Sequence, residues 1–463
     1  MGKFTENDTE KFYGSQETDD FYRSFWDSDG TLHWGLWNQE EDVTYVQASQ
    51  RMTEFMFANS GITKDSRVLD LGCGNGNSSI WLAQKTGCEI VGIDLGKARI
   101  QNAKQKLQEY PSLKCYFQEA SITNLPFEDN DFTHVWSQAV LYHVHDLKKG
   151  LQEVYRVLKD QGVFIFDDLV QPRKDISEEA KIHVYDRLFF EGKYSHESYL
   201  NELQNLGFMV VQAQDISWHL NKSYQVLAEQ VKTISEKTSL SYEKMCEAID
   251  KKELGWSFFK CEKVQDRIEW VYSSQNQQVL EQRYNSWADK YETDLAGKYD
   301  SPKISARTLA SHLNDKNAYI LDFGCGTGMV GEELDQLGFT NLAGVDLSAR
   351  MLEQASKKGV YKSLQKKNIG NEGVVLFPKE SFDAMILVGV FTYGHARPSA
   401  IYQLFSLLKV GGIFTITVRQ DYLESNQEFK KVIAELNWSL QEKVEFTIFD
   451  NESMYAMVFI KVG

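Results

Sequence analysis

The stretch 68-VLDLGCGNG-76 returns 252 positions later as 320-ILDFGCGTG-328. The same offset relates three further pairs of residues: Asp94 with Asp346, Asp131 with Asp383, and His143 with His395. Four features in one register exceed what chance gives in a chain of mixed composition, and repetition over such a distance indicates duplicated domains. The sequence therefore predicts two copies of one fold.

Each copy alternates apolar strands with amphipathic helices. Helical stretches such as SSIWLAQKTG (78–87) separate the strands of the first copy, and the second copy repeats the order from YILDFG (319–324) onward. Strands this apolar, alternating with helices, are typical of a mostly parallel sheet covered on both faces. We expect two Rossmann-like α/β domains with seven-stranded sheets. The strands of the first copy are predicted at RVLDLG (67–72), EIVGIDL (89–95), THVWSQAVL (133–141), GVFIFDD (162–168) and GWSFFKCEKV (255–264).

The two copies differ after the fifth strand. The first continues from Gln171 to about Leu254 with mostly helical patterning before its last strand, whereas the second needs only some twenty-five residues there. Helices added at the carboxyl ends of parallel strands usually cover the ligand crevice. We expect a helical cap in a first domain of residues 1–265, a polar linker at 266–280, and a second domain at 281–463.

Composition and charge exclude several classes of protein. The chain of 463 residues carries a formal net charge of −16, which argues against nucleic-acid partners because these need a basic surface. Its six cysteines form no C-x-x-C pair, so no metal site is expected. No apolar run is long enough to span a membrane, and the start lacks the apolar core of a signal peptide. We expect a cytoplasmic enzyme, and the sequence leaves its oligomeric state open.

The repeated motif indicates a nucleoside-like ligand. A glycine turn between a strand and a helix lets the backbone approach a ligand where a side chain would clash. In both copies an acid, Asp94 or Asp346, follows the motif aspartate by 24 residues and can accept hydrogen bonds from both ribose hydroxyls. A dinucleotide fold would need glycine at the sixth position of the turn, where Asn77 and Met329 stand. The pattern therefore disfavours a dinucleotide.

With these motifs, both halves resemble class I S-adenosylmethionine-dependent methyltransferases. The resemblance implies that Asp94 and Asp346 hold the ribose and that Ser121 and Ile122 border the adenine, with Asn368 and Ile369 as their counterparts. S-adenosylmethionine is thus the expected methyl donor in both domains. The full set of cofactor-binding residues that the resemblance implies is Asp70, Gly72, Cys73, Gly74, Asp94, Leu95, Ser121, Ile122 and Ser137, then Asp322, Gly324, Cys325, Gly326, Asp346, Leu347, Asn368 and Ile369.

The first domain resembles a narrower group. HWGLW (33–37), VWSQAVLYH (135–143) and GWSFF (255–259) are similar to sarcosine/dimethylglycine N-methyltransferases. The spacing from Ser137 to His143 is also similar to phosphoethanolamine N-methyltransferases, in which a histidine works with an N-terminal tyrosine on the substrate amine. Tyr22 is the tyrosine that this sequence offers. The glycine pair and serine expected after that tyrosine are missing, which argues against a phosphate-bearing substrate.

The second domain carries fewer specific marks. YNSWADKYE (284–292) resembles the N-terminal helix that many small-molecule methyltransferases fold across the cofactor.

Two histidines are the candidate catalytic groups. An amine attacks only through its lone pair, so an ammonium substrate must lose a proton, and a histidine beside the methyl site suits that task. His143 and His395 follow the fourth strand of each copy, where the crevice opens; the alternative is that they only shape the loop. Asp131 and Asp383, at strand starts, are expected to be structural.

An aromatic cluster precedes the first domain, and it admits two interpretations. The faces of aromatic rings stabilise methylammonium and sulfonium cations, yet the same rings also pack an N-terminal arm onto a sheet. The sequence leaves both open. The cluster consists of Tyr22, Trp26, Trp34 and Trp37.

Together these features predict a bidomain N-methyltransferase acting on a small amine. The leading substrate is the glycine–sarcosine–dimethylglycine series, with the two domains dividing successive methylations toward a betaine. A tandem phosphoethanolamine N-methyltransferase shares the two-domain plan. The sequence is also compatible with a methyltransferase acting on oxygen, sulfur or carbon of a lipid or natural product, and with a domain that binds the cofactor only to regulate its neighbour.

Overall fold

The computed structural model describes residues 4–13, 15–38, 43–274, 276–367, 377–449 and 451–463. The chain divides into two compact units, Met1–Gln265 and Asp266–Gly463. Residues 266–280, predicted to be a linker, belong instead to the second unit, because two helices begin there and contribute apolar side chains to its interior. None of the helices in the described ranges is long and apolar enough to cross a bilayer.

The first unit has a sheet whose described strands run in the order β3-β2-β1-β4-β5-β7-β6. All neighbours are parallel except those of β7, which is antiparallel to β5 and β6. Buried residues run almost uninterrupted through β4 and the end of β5, as expected for strands covered on both faces. The strands are β1 (Arg67–Leu71), β2 (Glu89–Asp94), β3 (Cys115–Glu119), β4 (Phe132–Gln138), β5 (Leu158–Val170), β6 (Phe208–Asp215) and β7 (Gly255–Lys263).

The predicted cap is present, but it contains a strand as well as helices. The interval predicted to be helical includes β6, which completes the edge of the sheet, so the cap consists of the helices before and after that strand. The helices of this unit are α1 (Glu6–Tyr13), α2 (Gln16–Arg23), α3 (Tyr45–Ser60), α4 (Asn77–Thr86), α5 (Lys97–Leu107), α6 (Leu147–Val157), α7 (Glu178–Ala180), α8 (His196–Asn205), α9 (Ser217–Val231) and α10 (Glu236–Asp250), with a π-helix at Lys181–Asp186 and a 3-10 turn at Leu141–His143.

The second unit repeats the strand order as β10-β9-β8-β11-β12-β14-β13. Its last two strands form an antiparallel pair without a helical insertion. Its strands are β8 (Ile320–Phe323), β9 (Leu342–Asp346), β10 (Ser363–Lys366), β11 (Phe382–Phe391), β12 (Leu408–Arg419), β13 (Trp438–Ile448) and β14 (Glu452–Lys461). Its helices are α11 (Arg267–Tyr272), α12 (Gln277–Trp287), α13 (Tyr291–Leu295), α14 (Ser301–His312), α15 (Met329–Gln336), α16 (Ala349–Lys358), α17 (Ala400–Leu407), α18 (Gln420–Ser425) and α19 (Gln427–Glu435).

The constant offset of 252 fails after the second strand of each copy, since Asp94 lies opposite Glu119 and Asp346 lies opposite Lys366, so equivalent positions on β3 and β10 differ by 247. Asp70 lies opposite Trp136, whereas its counterpart Asp322 lies opposite Ile386, so equivalent positions on β4 and β11 differ by 250. The pairing of Asp131 with Asp383 and of His143 with His395 was therefore wrong as a structural equivalence. In sheet register, His143 corresponds to Tyr393.

The two strand-start aspartates consequently make different contacts. Asp131 precedes β4 and pairs with Arg67, whereas Asp383 lies within β11, accepts the Tyr319 amide and pairs with Lys409. Both contacts tie strands together at the edge of the sheet opposite the glycine turns.

Candidate active sites

The glycine turn of the first unit places its backbone against open space. Gly74 has a φ of +53°, and a Cβ built on it would meet nothing within 4 Å. Gly72, at φ +66°, has the opposite constraint, since its Cβ would lie 2.4 Å from Val140. The second turn repeats this arrangement with Gly326, which faces open space, and Gly324, which is packed against Val390. In each turn, therefore, one glycine leaves room for a ligand beside the backbone, and the other leaves room for the loop that follows the fourth strand.

The acid at the end of the second strand fixes each turn. In the first unit the Asp94 carboxylate accepts the Gly74 amide at 3.0 Å and the Gly96 amide at 2.7 Å. In the second unit Asp346 accepts the Gly326 and Ser348 amides, both at 2.8 Å. Burial raises the pKa of both carboxyls, and these amide bonds oppose the shift. Each carboxylate oxygen keeps lone pairs for further donors, as ribose hydroxyls would require.

The motif aspartates are held differently in the two units. Asp70 accepts a hydrogen bond from the Ser79 hydroxyl, whereas Asp322 accepts one from the Tyr361 hydroxyl. Burial raises the pKa of each carboxyl to about 7. Asp70 lines the first cavity, while Asp322 and its neighbour Cys325 lie outside the lining of the second.

The first cavity has a volume of about 180 Å³ and lies at the carboxyl ends of β1 and β4. Besides Tyr13 and other residues of α1, its lining includes eight predicted residues: Asp70, Gly72, Cys73, Gly74, Asp94, Leu95, Ile122 and His143.

Two predicted cofactor-binding residues lie outside this lining. The Ser121 hydroxyl donates to the Glu6 carboxylate of α1 at 2.8 Å, so it fastens the helix over the cavity. Ser137 is fully buried within β4, and its hydroxyl has no hydrogen-bond partner among the described residues. Its burial follows from its place in a strand that is covered on both faces.

His143 faces the cavity beside a tyrosine, but that tyrosine is Tyr13 rather than the predicted Tyr22. The His143 ring lies 4.8 Å from the Tyr13 ring and 3.9 Å from the Tyr142 ring. Tyr22 lies outside the lining because its ring packs against Tyr13 and Trp26. Burial lowers the pKa of His143 to about 3. Its Nδ1 has no hydrogen-bond partner among the described residues, so the site presents a neutral imidazole.

The predicted tryptophans pack the arm and do not line the cavity. Trp34 is 1% exposed, with its ring centroid 5.6 Å from that of Trp256, and the Trp37 indole donates to Ser223 at 2.9 Å. Trp26 packs edge-on against Tyr45 and Tyr22. For these rings the packing interpretation holds.

The second cavity, of about 140 Å³, is covered by helices α11 to α13. Of the predicted residues, its lining includes Gly324, Gly326, Asp346, Leu347 and His395. Asn368 and Ile369 lie outside the described residues.

The imidazole of His395 is hydrogen-bonded at both nitrogens. Its Nδ1 lies 2.8 Å from the Tyr393 carbonyl oxygen and therefore donates. Its Nε2, 2.7 Å from the Tyr284 hydroxyl, must then accept. Burial lowers the pKa of His395 to about 4, in keeping with this neutral tautomer.

Comparison with known proteins agrees with the geometry. The family model described as a methyltransferase domain matches residues 69–166 and 321–416. A sarcosine/dimethylglycine N-methyltransferase of Halorhodospira halochloris is 32% identical over 216 residues, which make up 46% of this chain and 76% of that protein. The chain belongs to the S-adenosylmethionine-dependent methyltransferases.

Two further comparisons concern the extent of the likeness. A glycine/sarcosine/dimethylglycine N-methyltransferase of Actinopolyspora halophila is 30% identical over 220 residues, 46% of this chain and 37% of that protein. A solved structure of a candidate sarcosine dimethylglycine methyltransferase from Galdieria sulphuraria superposes with a TM-score of 0.50 at 22% identity. That match covers 55% of this chain and 100% of the other, which shows the fold of one methyltransferase domain.

The residues of both methyltransferase domains fit S-adenosylmethionine. Gly74 and Gly326 leave backbone facing open space, and Asp94 and Asp346 keep carboxylate lone pairs at the strand ends. Ile122 adds an apolar edge where an adenine would lie in the first domain. Among the described residues, no group of three or more His, Cys, Asp or Glu side chains is placed to hold a metal ion.

Sequence reasoning missed a partly buried cation of the first methyltransferase domain, Arg187, which lies outside the described lining of the first cavity. The Arg187 guanidinium lies 5.0 Å from the centre of the Tyr242 ring, its Nε donates to the His183 carbonyl oxygen, and its Nη2 contacts Met245 Sδ. No carboxylate within the described residues pairs with it. Its charge lowers the pKa of Tyr13 and Tyr22, against the larger effect of burial, so it faces the tyrosines beside His143.

Proposed function

We propose that the first domain methylates the nitrogen of a small amine that also carries a carboxylate, of the glycine–sarcosine–dimethylglycine type, toward a betaine. The observation that carries the proposal is Arg187. A guanidinium packed against aromatic rings without a carboxylate leaves a partly desolvated charge uncompensated, and a bound anion would compensate it. The names of the relatives from Halorhodospira and Actinopolyspora support the same substrate series.

Several residues would hold the methyl donor. Asp94 would accept the ribose hydroxyls, the Gly72–Gly74 backbone would follow the amino-acid part of the ligand, and Leu95 and Ile122 would border the base. S-adenosylmethionine supplies a methyl group on a positively charged sulfur, which is a good leaving group. The protein's own task is therefore to align the acceptor and to exclude water. Helix α1 serves the second purpose, since it covers the cavity and is fastened through Glu6 and Ser121.

His143 and Arg187 would then align the acceptor. Arg187 would bind the carboxylate, and the planar guanidinium suits a bidentate bond to it. The unpartnered Nδ1 of His143 would accept the N–H of glycine or sarcosine and turn the lone pair of that amine toward the methyl group, whereas dimethylglycine, which has no N–H as its free base, would be aligned through its carboxylate. Because the pKa of His143 is only about 3, the imidazole stays neutral and orients an amine that arrives as the free base.

A transfer assay with labelled S-adenosylmethionine tests this function in the full-length chain. We expect methylation of sarcosine and N,N-dimethylglycine, and its loss when Arg187 is changed to Met. Arg187→Lys, which keeps the charge, should retain part of the activity. Transfer to phosphoethanolamine, to a thiol or to a hydroxyl compound in place of the carboxylated amines would overturn the proposal.

A further inference from the structure

The second cavity is walled by neutral aromatic rings where an acceptor would enter. The N-terminal helices of the second domain and the loop after them contribute these rings, and Phe449 stacks flat on Tyr299 at 5.6 Å. Burial raises the pKa of Tyr272 to about 12 and raises those of Tyr284, Tyr291 and Tyr299. Their hydroxyls are therefore uncharged at neutral pH. The rings belong to Tyr272, Tyr284, Trp287, Tyr291, Tyr299 and Phe449.

The permanently charged residues that line this cavity lie at one end of it. Among its described lining residues the permanently charged ones are Asp346 and Lys367, and both lie at the cofactor end, because the Lys367 amide donates to the Asp346 carbonyl oxygen. Behind the aromatic wall, Arg419 lies 5.6 Å from the centre of the Tyr272 ring. Its guanidinium pairs with Asp421 and Glu452, both at 3.0 Å. Unlike Arg187, Arg419 is compensated.

This wall favours one class of acceptor. A carboxylate or phosphate held against the aromatic wall would lose its hydration without gaining a cationic partner from the rings, which is costly, because Lys367 lies at the cofactor end. A methylated amine loses little, and its nitrogen becomes positive as it is methylated. Aromatic faces stabilise such a cation through the negative electrostatic potential above the ring. Tyr284 and Tyr291 both line the cavity and contact each other edge to face, with ring centroids 6.3 Å apart.

The hydrogen bonds of His395 restrict the class of methyl acceptor further. Both of its ring nitrogens are occupied, by Tyr284 and by the Tyr393 carbonyl oxygen, so no imidazole lone pair is left for a substrate N–H. A tertiary amine bound as its free base has no N–H and therefore needs no hydrogen-bond acceptor from the protein. The nitrogen forms its bond to the methyl carbon while the carbon–sulfur bond breaks, and the electron pair of that bond stays on the sulfur of the departing thioether.

We propose that the second domain methylates a small tertiary amine that bears no carboxylate or phosphate, giving a quaternary ammonium product. The proposal rests on methyl transfer to nitrogen as proposed above, and it assigns the two domains to different acceptors. It departs from the shared substrate series that the sequence predicted.

The test compares N,N-dimethylethanolamine with N,N-dimethylglycine, which have the same amine and nearly the same size but differ in the carboxylate. In the full-length chain, Asp94→Asn, and separately Asp94→Ala, would inactivate the first site and leave the second. We expect this chain to prefer the amino alcohol by at least about tenfold in kcat/KM, because the carboxylate of dimethylglycine would be desolvated without a compensating charge. Tenfold corresponds to about 1.4 kcal/mol. A preference for dimethylglycine, or no turnover of either amine, would overturn the proposal.

A variant with only the first site active tests the proposal for the first domain separately from that for the second. Asp346→Asn should leave a chain that prefers dimethylglycine through its first site. If that chain ignores dimethylglycine, the function proposed for the first domain fails, while the result with Asp94→Asn still decides the second. The double variant Asp421→Asn, Glu452→Gln leaves Arg419 without its carboxylate partners and should reduce the preference of the second site for N,N-dimethylethanolamine over N,N-dimethylglycine. An unchanged ratio of the two kcat/KM values would count against an electrostatic origin of the preference.

Discussion

The two methyltransferase domains share the cofactor turn almost atom for atom but differ in how they receive an acceptor. Gly74 and Asp94 match Gly326 and Asp346 in backbone angle and hydrogen bonding. The first acceptor side instead combines an unpaired imidazole nitrogen with an uncompensated guanidinium, and the second combines a bonded imidazole with neutral rings. On the proposals above, duplication kept the turn that would hold a common methyl donor, while the parts that would receive the acceptor diverged.

The largest expected effect concerns this common part. We expect two S-adenosylmethionine sites per chain by titration calorimetry, and one after either Asp94→Ala or Asp346→Ala. Each carboxylate is local to its own turn, so the remaining site should keep its affinity. A stoichiometry near one for the unmodified, fully folded chain would contradict the equivalence of the two turns.

The next effect separates the two arginines. Arg187→Met should lower kcat/KM for a carboxylated amine by about a hundredfold or more, because truncating one member of a buried charge pair costs about 2–5 kcal/mol. Arg419→Met is the matched control and should leave the first site's kcat/KM unchanged. The loss should reside in KM, since the carboxylate is bound equally before and during transfer. Equal losses from the two variants would remove Arg187 from acceptor binding.

A smaller effect is expected at His143. His143→Ala should reduce the first site's turnover of sarcosine, which carries an N–H, by about tenfold, the value of one orienting hydrogen bond. Since burial lowers the pKa of His143 from 6.5 to about 3, the imidazole stays neutral from pH 8.5 down to 5.5. The rate ratio of unmodified to variant enzyme should therefore be constant over that range, although both rates fall as the amine becomes protonated. A ratio that shrinks below pH 6.5 would show instead that His143 titrates at its ordinary pKa.

The sequence predicted the cofactor turn, which both domains share, better than the acceptor side, in which they differ. The glycine turns and the strands that flank them depend on short-range pattern, and there prediction and structure agree, whereas β6 lies in an interval predicted to be helical. Tyr13 reaches the first cavity from an N-terminal helix, and Arg187 packs against Tyr242 and Met245 in the cap, so both positions depend on tertiary packing that periodicity does not encode. The mismatch of His143 with His395 has a simpler cause. The segments between the second and fourth strands differ in length, and a sequence offset cannot show where residues were gained or lost.

The smallest effect, at Tyr284, tests the claim that the second site needs no proton acceptor. Tyr284→Phe removes the hydroxyl that donates to His395 Nε2, which leaves a buried nitrogen without that partner and should lower the thermal stability of the second domain slightly. If the acceptor is a tertiary amine, kcat for N,N-dimethylethanolamine in the Asp94→Asn background should change by less than about fivefold, because the ring face remains. Tyr291→Phe, another neutral tyrosine of the same cavity, is the control for loss of a hydroxyl. Were Tyr284 and His395 to act as a proton relay, the loss would be about a hundredfold and specific to Tyr284. The second site would then use amines that carry an N–H, and the contrast between the two domains would be one of charge alone.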